Sequence, residues 1–146
     1  MNAYTFEELT IGMTAQFDTV VTDSDVSSFV DLSGDSSPIH MVTKFAEDRG
    51  FRDRIVHGVL VASYVSRLIG VYLPGANGLL QTIEMQFRKP CYSGMRIRVS
   101  GEIVRRIESV RAVRINIKVT DLDSEAILSN GTVQSGILDL TTGAKI

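Results

Sequence analysis

Residues 58–72 read GVLVASYVSRLIGVY, and apolar side chains occupy nearly every face of the helix that this segment would form. A helix that is apolar all round is expected to be buried. The turn-forming residues of segment 74–78 (PGANG) end it. The sequence therefore predicts one long buried helix from Gly58 to Tyr72.

Beyond this helix the apolar period changes from near four to two. Apolar and polar side chains alternate in segments 79–88, 96–100 and 113–119, and a last strand is predicted over 127–140. Strands with one apolar and one polar face are typical of antiparallel sheets. A sheet that curls around the buried helix packs these elements most economically, which predicts an α+β, hot-dog fold. An unpaired edge strand would remain, so we expect at least a homodimer.

Upstream of this helix, a first strand is predicted over residues 14–21. Thr22 then has the position of a helix N-cap, and Asp25, three residues later, completes a capping box. Gly34 provides the left-handed residue that ends this helix. A short helix is expected around residues 43–48.

Composition limits the classes of protein to which the chain can belong. At 146 residues, we expect residues 1–146 to form a single domain. The net charge of −2 gives no general attraction to nucleic acid. Neither a signal peptide nor an apolar run long enough for a membrane span is found. Cys91 is the only cysteine, which fits a reducing compartment, so a cytoplasmic protein without membrane contact is expected.

The residues that suggest chemistry lie in two short segments, which contain the only histidines, His40 and His57. Asp35 and His40 are separated by a loop stiffened by Pro38, and a carboxylate with an imidazole can supply a proton-transfer pair. The amide of Gly58, at the start of the buried helix, can stabilise an oxyanion. Together these groups indicate an enzyme that acts beside a polarised carbonyl.

Purely structural interpretations of the same residues exist. Asp35 could cap the turn that follows it, a common role for Asp before Ser-Ser-Pro. His57 could pack at the helix start and only fix the loop. Cys91 is interpreted as a small buried apolar residue rather than a nucleophile.

Three motifs carry a resemblance to a known family. Residues 34–40 (GDSSPIH), 54–58 (RIVHG) and 87–90 (FRKP), with Gly94, resemble the MaoC-like hot-dog family, which includes (R)-specific enoyl-CoA hydratases. The likeness extends over residues 6–140. It implies reversible syn addition of water to a trans-2-enoyl-CoA, giving an (R)-3-hydroxyacyl-CoA. It also implies a homodimer, or a higher homo-oligomer, that uses no metal or redox cofactor.

The resemblance also implies roles for individual residues. Asp35 and His40 would hold and deprotonate water, while the Gly58 amide polarises the thioester carbonyl. Ser66 would support the acid or the water, unless its hydroxyl folds back on its own helix. Three further positions are expected to contact substrate: His57, Ser37 and Ser63. Which of Asp35 and His40 takes the proton stays open.

Two departures from the family pattern concern the same loop. The family motif reads Asp-x-Asn-Pro-x-His, and Ser37 stands at the Asn position. Val42 stands where an acidic residue is usual. Because the essential pair is intact, we expect activity to be retained with an altered rate or chain-length preference. The acyl length itself depends on the packing of Leu60, Tyr64, Leu68 and the loop 45–51.

Competing functions share the fold. Thioesterases and acyl-carrier-protein dehydratases typically place an acid on the central helix, and residues 58–72 contain none, which argues against both. Two alternatives stay open. One is a dehydratase of a branched dicarboxylic acyl-CoA, whose second carboxylate would meet Arg54 or Arg67. The other is a non-catalytic acyl-CoA-binding protein.

Overall fold

A single antiparallel sheet dominates the computed structural model, which describes residues 1–138. Its strands are β1 (Thr14–Val20), β2 (Gly78–Phe87), β3 (Arg96–Ile107), β4 (Ala112–Asp121) and β5 (Ile127–Ile137). They are ordered β1-β3-β4-β5-β2, so β1 and β2 form the two edges. Every pairing is antiparallel, which confirms the prediction from the alternating pattern.

The α-helices lie in the N-terminal half of the chain, and a short 3-10 helix, Glu108–Val110, joins β3 to β4. The α-helices are α1 (Asp23–Ser33), α2 (Pro38–Met41), α3 (Thr43–Glu47) and α4 (Gly58–Arg67), and a π-helical turn, Leu68–Tyr72, continues α4. None of the helices in the described residues is long and apolar enough to cross a membrane.

One hydrophobic core joins α4 to the sheet and establishes the hot-dog arrangement. The helical segment contributes Leu60, Val61, Val65, Leu68 and Ile69 to this core. The sheet contributes Ile97, Val99, Ile103, Ile115, Ile117, Val119 and Val133. Burial of these side chains holds the helix against the inner face of the sheet.

The prediction that the central helix is buried on nearly every face was wrong. Val59 is 67% exposed, and the side chains of Ser63 and Ser66 are also exposed. Residues spaced by three and four positions share one face of a helix. The face of α4 that carries these three residues therefore points away from the core of the chain, although Val59 is apolar.

Strand β2 also departs from its pattern. Its alternation predicted one buried face, yet Ile83 is 40% exposed and Phe87 is 53% exposed. The reason is its place at the edge, where it pairs with β5 alone. Leu79 and Leu80, at 40% and 36%, extend this exposed apolar strand.

Local signals in the first helix are confirmed. The Thr22 hydroxyl accepts a hydrogen bond from the Asp25 amide, and the Asp25 carboxylate accepts one from the Thr22 amide. Gly34 ends α1 with φ of 74°. The last strand was predicted over 127–140; it ends at Ile137, and residues 139–140 lie outside the described part of the chain. For the same reason one domain over residues 1–146 stays a prediction.

Candidate active site

The loop between α1 and α2 holds Asp35 by hydrogen bonds on both sides. Its amide donates to the Ser33 hydroxyl at 3.1 Å, and its Oδ1 accepts the Ser37 amide at 3.2 Å. Asp35 therefore does cap the following turn, as its structural interpretation suggested. Its second oxygen, Oδ2, lies 4.0 Å from Nε2 of His57, and half of the side chain is exposed. One carboxylate oxygen thus fixes the loop and the other is available for chemistry.

His40 lies on the short helix α2, which begins at Pro38, rather than in a loop. Its Nδ1 lies 2.7 Å from the carbonyl oxygen of Ile55. Since a carbonyl only accepts hydrogen bonds, Nδ1 is assigned the hydrogen. In the neutral ring Nε2 is then the nitrogen that can accept a proton.

His57 is the N-cap residue of α4 and is only 2% exposed. Its Nε2 lies 2.8 Å from the carbonyl oxygen of Asp35. Its ring stacks on the ring of His40, with centroids 3.8 Å apart and planes inclined by 30°. Its Nδ1 is buried and has no hydrogen-bond partner within the described residues.

Asp35, His40 and His57 form a compact cluster in which one ligand-type atom of each lies within 4.8 Å of the others. Two groups that hydrogen-bond the same water molecule are about 4.6 Å apart, from ordinary hydrogen-bond lengths and a tetrahedral angle. The upper limit of 4.8 Å permits the carboxylate of Asp35 and the imidazole of His40 to hold one water between them. The cluster can therefore transfer a proton to or from that water.

The same three side chains are also the residues that could hold a metal ion in the described part of the chain. Each histidine, however, has one nitrogen engaged by a backbone carbonyl. The remaining ring nitrogen of His57, Nδ1, is buried, and its ring stacks on that of His40 with the planes inclined by 30°. The geometry suits proton transfer better than metal binding, and the absence of a metal stays a prediction.

A cavity of about 360 Å³ opens beside His40 and the first residue of α4. The amides of the first helical turn have no partner within a helix, so the Gly58 N–H is available to a ligand. Apolar side chains make up most of the wall, with basic residues among the rest. The lining comprises His40, Phe51, Ile55, Val56, Gly58, Val61, Phe87, Arg88, Lys89, Pro90, Cys91, Leu128 and Ser129.

The wall of the cavity differs from the sequence-based expectation for acyl binding. Phe51, from segment 45–51, does line it, but Leu60, Tyr64 and Leu68 do not, and Leu60 and Leu68 belong to the core. Burial, followed by the nearby Asp121 carboxylate, raises the pKa of Cys91 to about 11. Cys91 is therefore a protonated thiol and a small wall residue, as interpreted. Phe87 was missed as a wall residue, although it opens the FRKP motif.

Two of the predicted serines, Ser63 and Ser66, lie on the exposed face of α4, and Ser37 contacts the cluster through its backbone. The Ser63 hydroxyl donates to the carbonyl of Leu60 at 2.7 Å, folded back on its own helix. Ser66 is exposed on α4, roughly 12 Å along the axis from Gly58 at the standard helical rise. Ser37 holds Asp35 by its amide, and its side chain makes no capping bond. Their catalytic and substrate-binding roles stay predictions.

The two arginines considered for a second substrate carboxylate already have partners. Arg54 pairs with Asp23 at 3.3 Å. The guanidinium of Arg67 lies 4.4 Å above the ring of Phe17. Neither residue is among those that line the cavity, so the dicarboxylate alternative gains no support from this site.

Both a solved structure and a protein-family model match this chain. The solved (R)-hydratase from A. caviae superposes with a TM-score of 0.84 at 25% identity, over 90% of this chain and 98% of that one. The family described as MaoC like domain matches residues 7–126. The chain belongs to this MaoC-like family of hot-dog hydratases and dehydratases.

Two relatives illustrate the range of the family. The 3-hydroxybutyryl-CoA dehydratase of Methylorubrum extorquens is 33% identical over 128 residues, covering 84% of this chain and 82% of the relative. The mitochondrial 3-hydroxyacyl-[acyl-carrier-protein] dehydratase of Arabidopsis thaliana is 30% identical over 114 residues, covering 77% and 68%. The name of the first relative specifies CoA as the carrier of the acyl group, and that of the second specifies acyl carrier protein.

Proposed function

We propose that the protein catalyses the reversible hydration of trans-2-enoyl-CoA to (R)-3-hydroxyacyl-CoA. The observation that carries this proposal is the shared position of three groups. Asp35 and His40 have ligand-type atoms within 4.8 Å of each other, which permits a shared water, and His40 lines an apolar cavity together with Gly58, the first residue of α4. A water-activating pair beside a helix N-terminus suits addition to an alkene conjugated with a thioester carbonyl.

In the proposed reaction, water held by Asp35 and His40 loses one proton to the pair as its oxygen bonds to C3. The electrons of the double bond move toward the thioester oxygen, and C2 then receives one proton from the pair. One water is thus added, and delivery of both parts from one side gives syn addition. Because Nδ1 of His40 is engaged by Ile55, Nε2 is the nitrogen that takes part. Which of the two residues is the base stays open.

The developing enolate oxygen is assigned to the amide of Gly58. This N–H points out of the N-terminus of α4, where the helix dipole favours negative charge. Donors aimed at an oxyanion act most strongly where water is excluded, and the mainly apolar cavity provides such surroundings. The exposed cations Arg88 and Lys89, which also line it, are candidates to meet the phosphates of CoA.

The proposed chemistry requires no metal or redox cofactor, because hydration leaves the overall oxidation state of the substrate unchanged. Proton transfer and one oxyanion donor are sufficient for it. A cytoplasmic location belongs to the same proposal, supported by the lone thiol of Cys91.

We propose further that the enzyme is a homodimer that pairs along β2. Exposed edge strands with apolar side chains are surfaces that proteins normally cover. Phe87 belongs both to this edge and to the cavity wall, so pairing along β2 would shield the site from water. Val59, on the exposed face of α4, directly follows Gly58, which lines the same cavity.

A second candidate function is that of a dehydratase whose substrate has its acyl group linked to acyl carrier protein instead of CoA. The 30% identity with the Arabidopsis relative favours considering it. The absence of an acid on residues 58–72 is not sufficient to exclude this carrier, since the pair in the preceding loop can supply the same chemistry.

The test is the loss of enoyl-thioester absorbance with crotonyl-CoA and crotonyl-[acyl carrier protein], followed by chiral chromatography of the released 3-hydroxybutyrate. We expect turnover of crotonyl-CoA and the (R) product. A preference for the carrier-protein substrate would select the second candidate. An (S) product, or binding of either thioester without turnover, would contradict the proposal.

A further inference from the structure

We infer that His57 is the positioning residue of this site: its buried ring fixes the loop that carries Asp35 and the ring of His40. The inference rests on the proposed hydration reaction. It also replaces the expectation that His57 contacts substrate.

The first contact is a hydrogen bond between two distant parts of the chain. Nε2 of His57 lies 2.8 Å from the carbonyl oxygen of Asp35, which is 22 residues away in sequence. Because the carbonyl accepts, the hydrogen is on Nε2. This bond ties the N-cap of α4 to the loop after α1. The carboxylate of Asp35 is thereby placed relative to the helix whose first amide faces the cavity.

The second contact is the stack between the two histidine rings. Their centroids are 3.8 Å apart, so the face of His57 sets the plane in which His40 lies. The bond from His40 to the Ile55 carbonyl then fixes rotation within that plane. The ring of Phe29, 4.9 Å away, packs on His57 in turn. One buried side chain therefore contacts both members of the proton-transfer pair.

Burial argues against a direct chemical role for His57. Its side chain is 2% exposed, and its Nε2 is engaged by the carbonyl of Asp35. Its Nδ1 is buried without a partner in residues 1–138, which is unfavourable for a polar atom. An apolar side chain would fill the same volume without that cost. The hydrogen bond to Asp35, rather than packing, is what requires an imidazole here.

Three substitutions separate the two contacts. His57→Gln keeps an N–H donor, His57→Phe keeps a ring, and His57→Leu keeps neither. We expect His57→Leu to lower kcat for crotonyl-CoA by about tenfold or more while KM changes less than about threefold, the pattern of a lost transition-state contribution. His57→Gln and His57→Phe should each keep a higher kcat than His57→Leu. Ile103→Ala, which opens a cavity in the buried core of β3, controls for lost stability and should keep kcat.

Other outcomes would overturn the inference. A raised KM with unchanged kcat would make His57 a substrate-binding residue. Wild-type kcat in all three folded variants would leave it a packing residue. If the wild type turned over neither crotonyl thioester, the proposed function would be wrong. The proposed role of His57 in positioning the catalytic pair would then be wrong as well.

A measurement on the wild type does not depend on the folding of any variant. Nitrogen-15 NMR of labelled histidine reports which ring nitrogen carries the hydrogen. We expect Nε2–H at His57 and Nδ1–H at His40. A hydrogen on Nδ1 but not Nε2 of His57 would remove the bond to Asp35 and contradict the inference, whatever the activity.

Discussion

The phenyl ring of Phe87 lies directly against Gly58: a Cβ atom at residue 58 would stand 3.1 Å from Cζ of that ring. This contact joins the first residue of α4 to the last residue of the edge strand β2, beside the cavity. An alanine at this position would require the Phe87 ring to shift by a few tenths of an ångström.

Gly58→Ala should therefore displace the Phe87 ring and disturb the cavity next to the proposed oxyanion donor. We expect kcat/KM for crotonyl-CoA to fall, but by less than the roughly 10²-fold cost of removing such a donor, because the backbone N–H is kept. The fold should survive, because Phe87 is half exposed and can move. Gly70→Ala is the matched control, since an added Cβ there meets nothing within 4 Å. Undiminished kcat/KM in Gly58→Ala would contradict this account of the glycine.

Removal of divalent metal ions should leave activity unchanged. One nitrogen of each histidine in the cluster is already engaged by a backbone carbonyl, which makes the cluster a poor metal site. Dialysis against EDTA followed by the crotonyl-CoA assay is the measurement. Activity that is lost on dialysis and restored by added zinc would show that the cluster works as a metal centre.

Ile83→Lys should dissociate the proposed homodimer. It places a charge in the middle of the exposed edge strand β2, where charges oppose strand pairing. Light scattering coupled to size-exclusion chromatography measures the mass. Val110→Lys, at an exposed apolar residue in the turn between β3 and β4, is the control and should remain dimeric. A dimer that survives Ile83→Lys would place the interface elsewhere.

The capping box of α1 should make stability depend on pH. The hydrogen bond from the Thr22 amide is the main cause that lowers the pKa of Asp25 below 3.8. The ionised carboxylate therefore stabilises the folded state above pH 3.8, and this contribution is lost as the pH falls through the lower folded-state pKa. Asp25→Ala should lower the free energy of unfolding by about 1 kcal/mol at pH 7, the typical net contribution of one intramolecular hydrogen bond.

Urea denaturation of wild type and Asp25→Ala at pH 7 and at pH about 3 checks this, because the difference in free energy of unfolding should shrink at low pH. The exposed Asp31, replaced by Ala, serves as a control without the capping contact. A difference for Asp25→Ala that is equal at both pH values would contradict the role of its charge.

Features set by local sequence were the ones that could be predicted. The capping box at Thr22 and the left-handed Gly34 each depend on a few neighbouring residues. The spacing of Asp35 and His40 likewise identified them as a candidate pair. By contrast, α2 is a single turn, too short for an apolar period, and only Pro38 at its start signals it.

Features set by tertiary structure could not be read from the chain. The alternation in β2 is that of a half-buried strand, and its exposure follows from its edge position in the sheet order. The bond from His57 to Asp35 joins residues 22 positions apart, through the packing of α4 against the loop. The cavity wall combines residues of β2, β5 and the segment before α4. Nothing in the local sequence around Phe87 or Ser129 therefore predicts that both line the same cavity.

The most direct test compares initial rates of crotonyl-CoA hydration by wild type, Asp35→Asn and His40→Ala. Asp31→Asn, an exposed aspartate on α1, is the matched control. The account predicts that each site variant loses roughly 10²-fold or more in kcat, the scale of lost acid–base catalysis, while the control keeps the wild-type rate. Wild-type rates in both Asp35→Asn and His40→Ala would show that this pair does not activate the water.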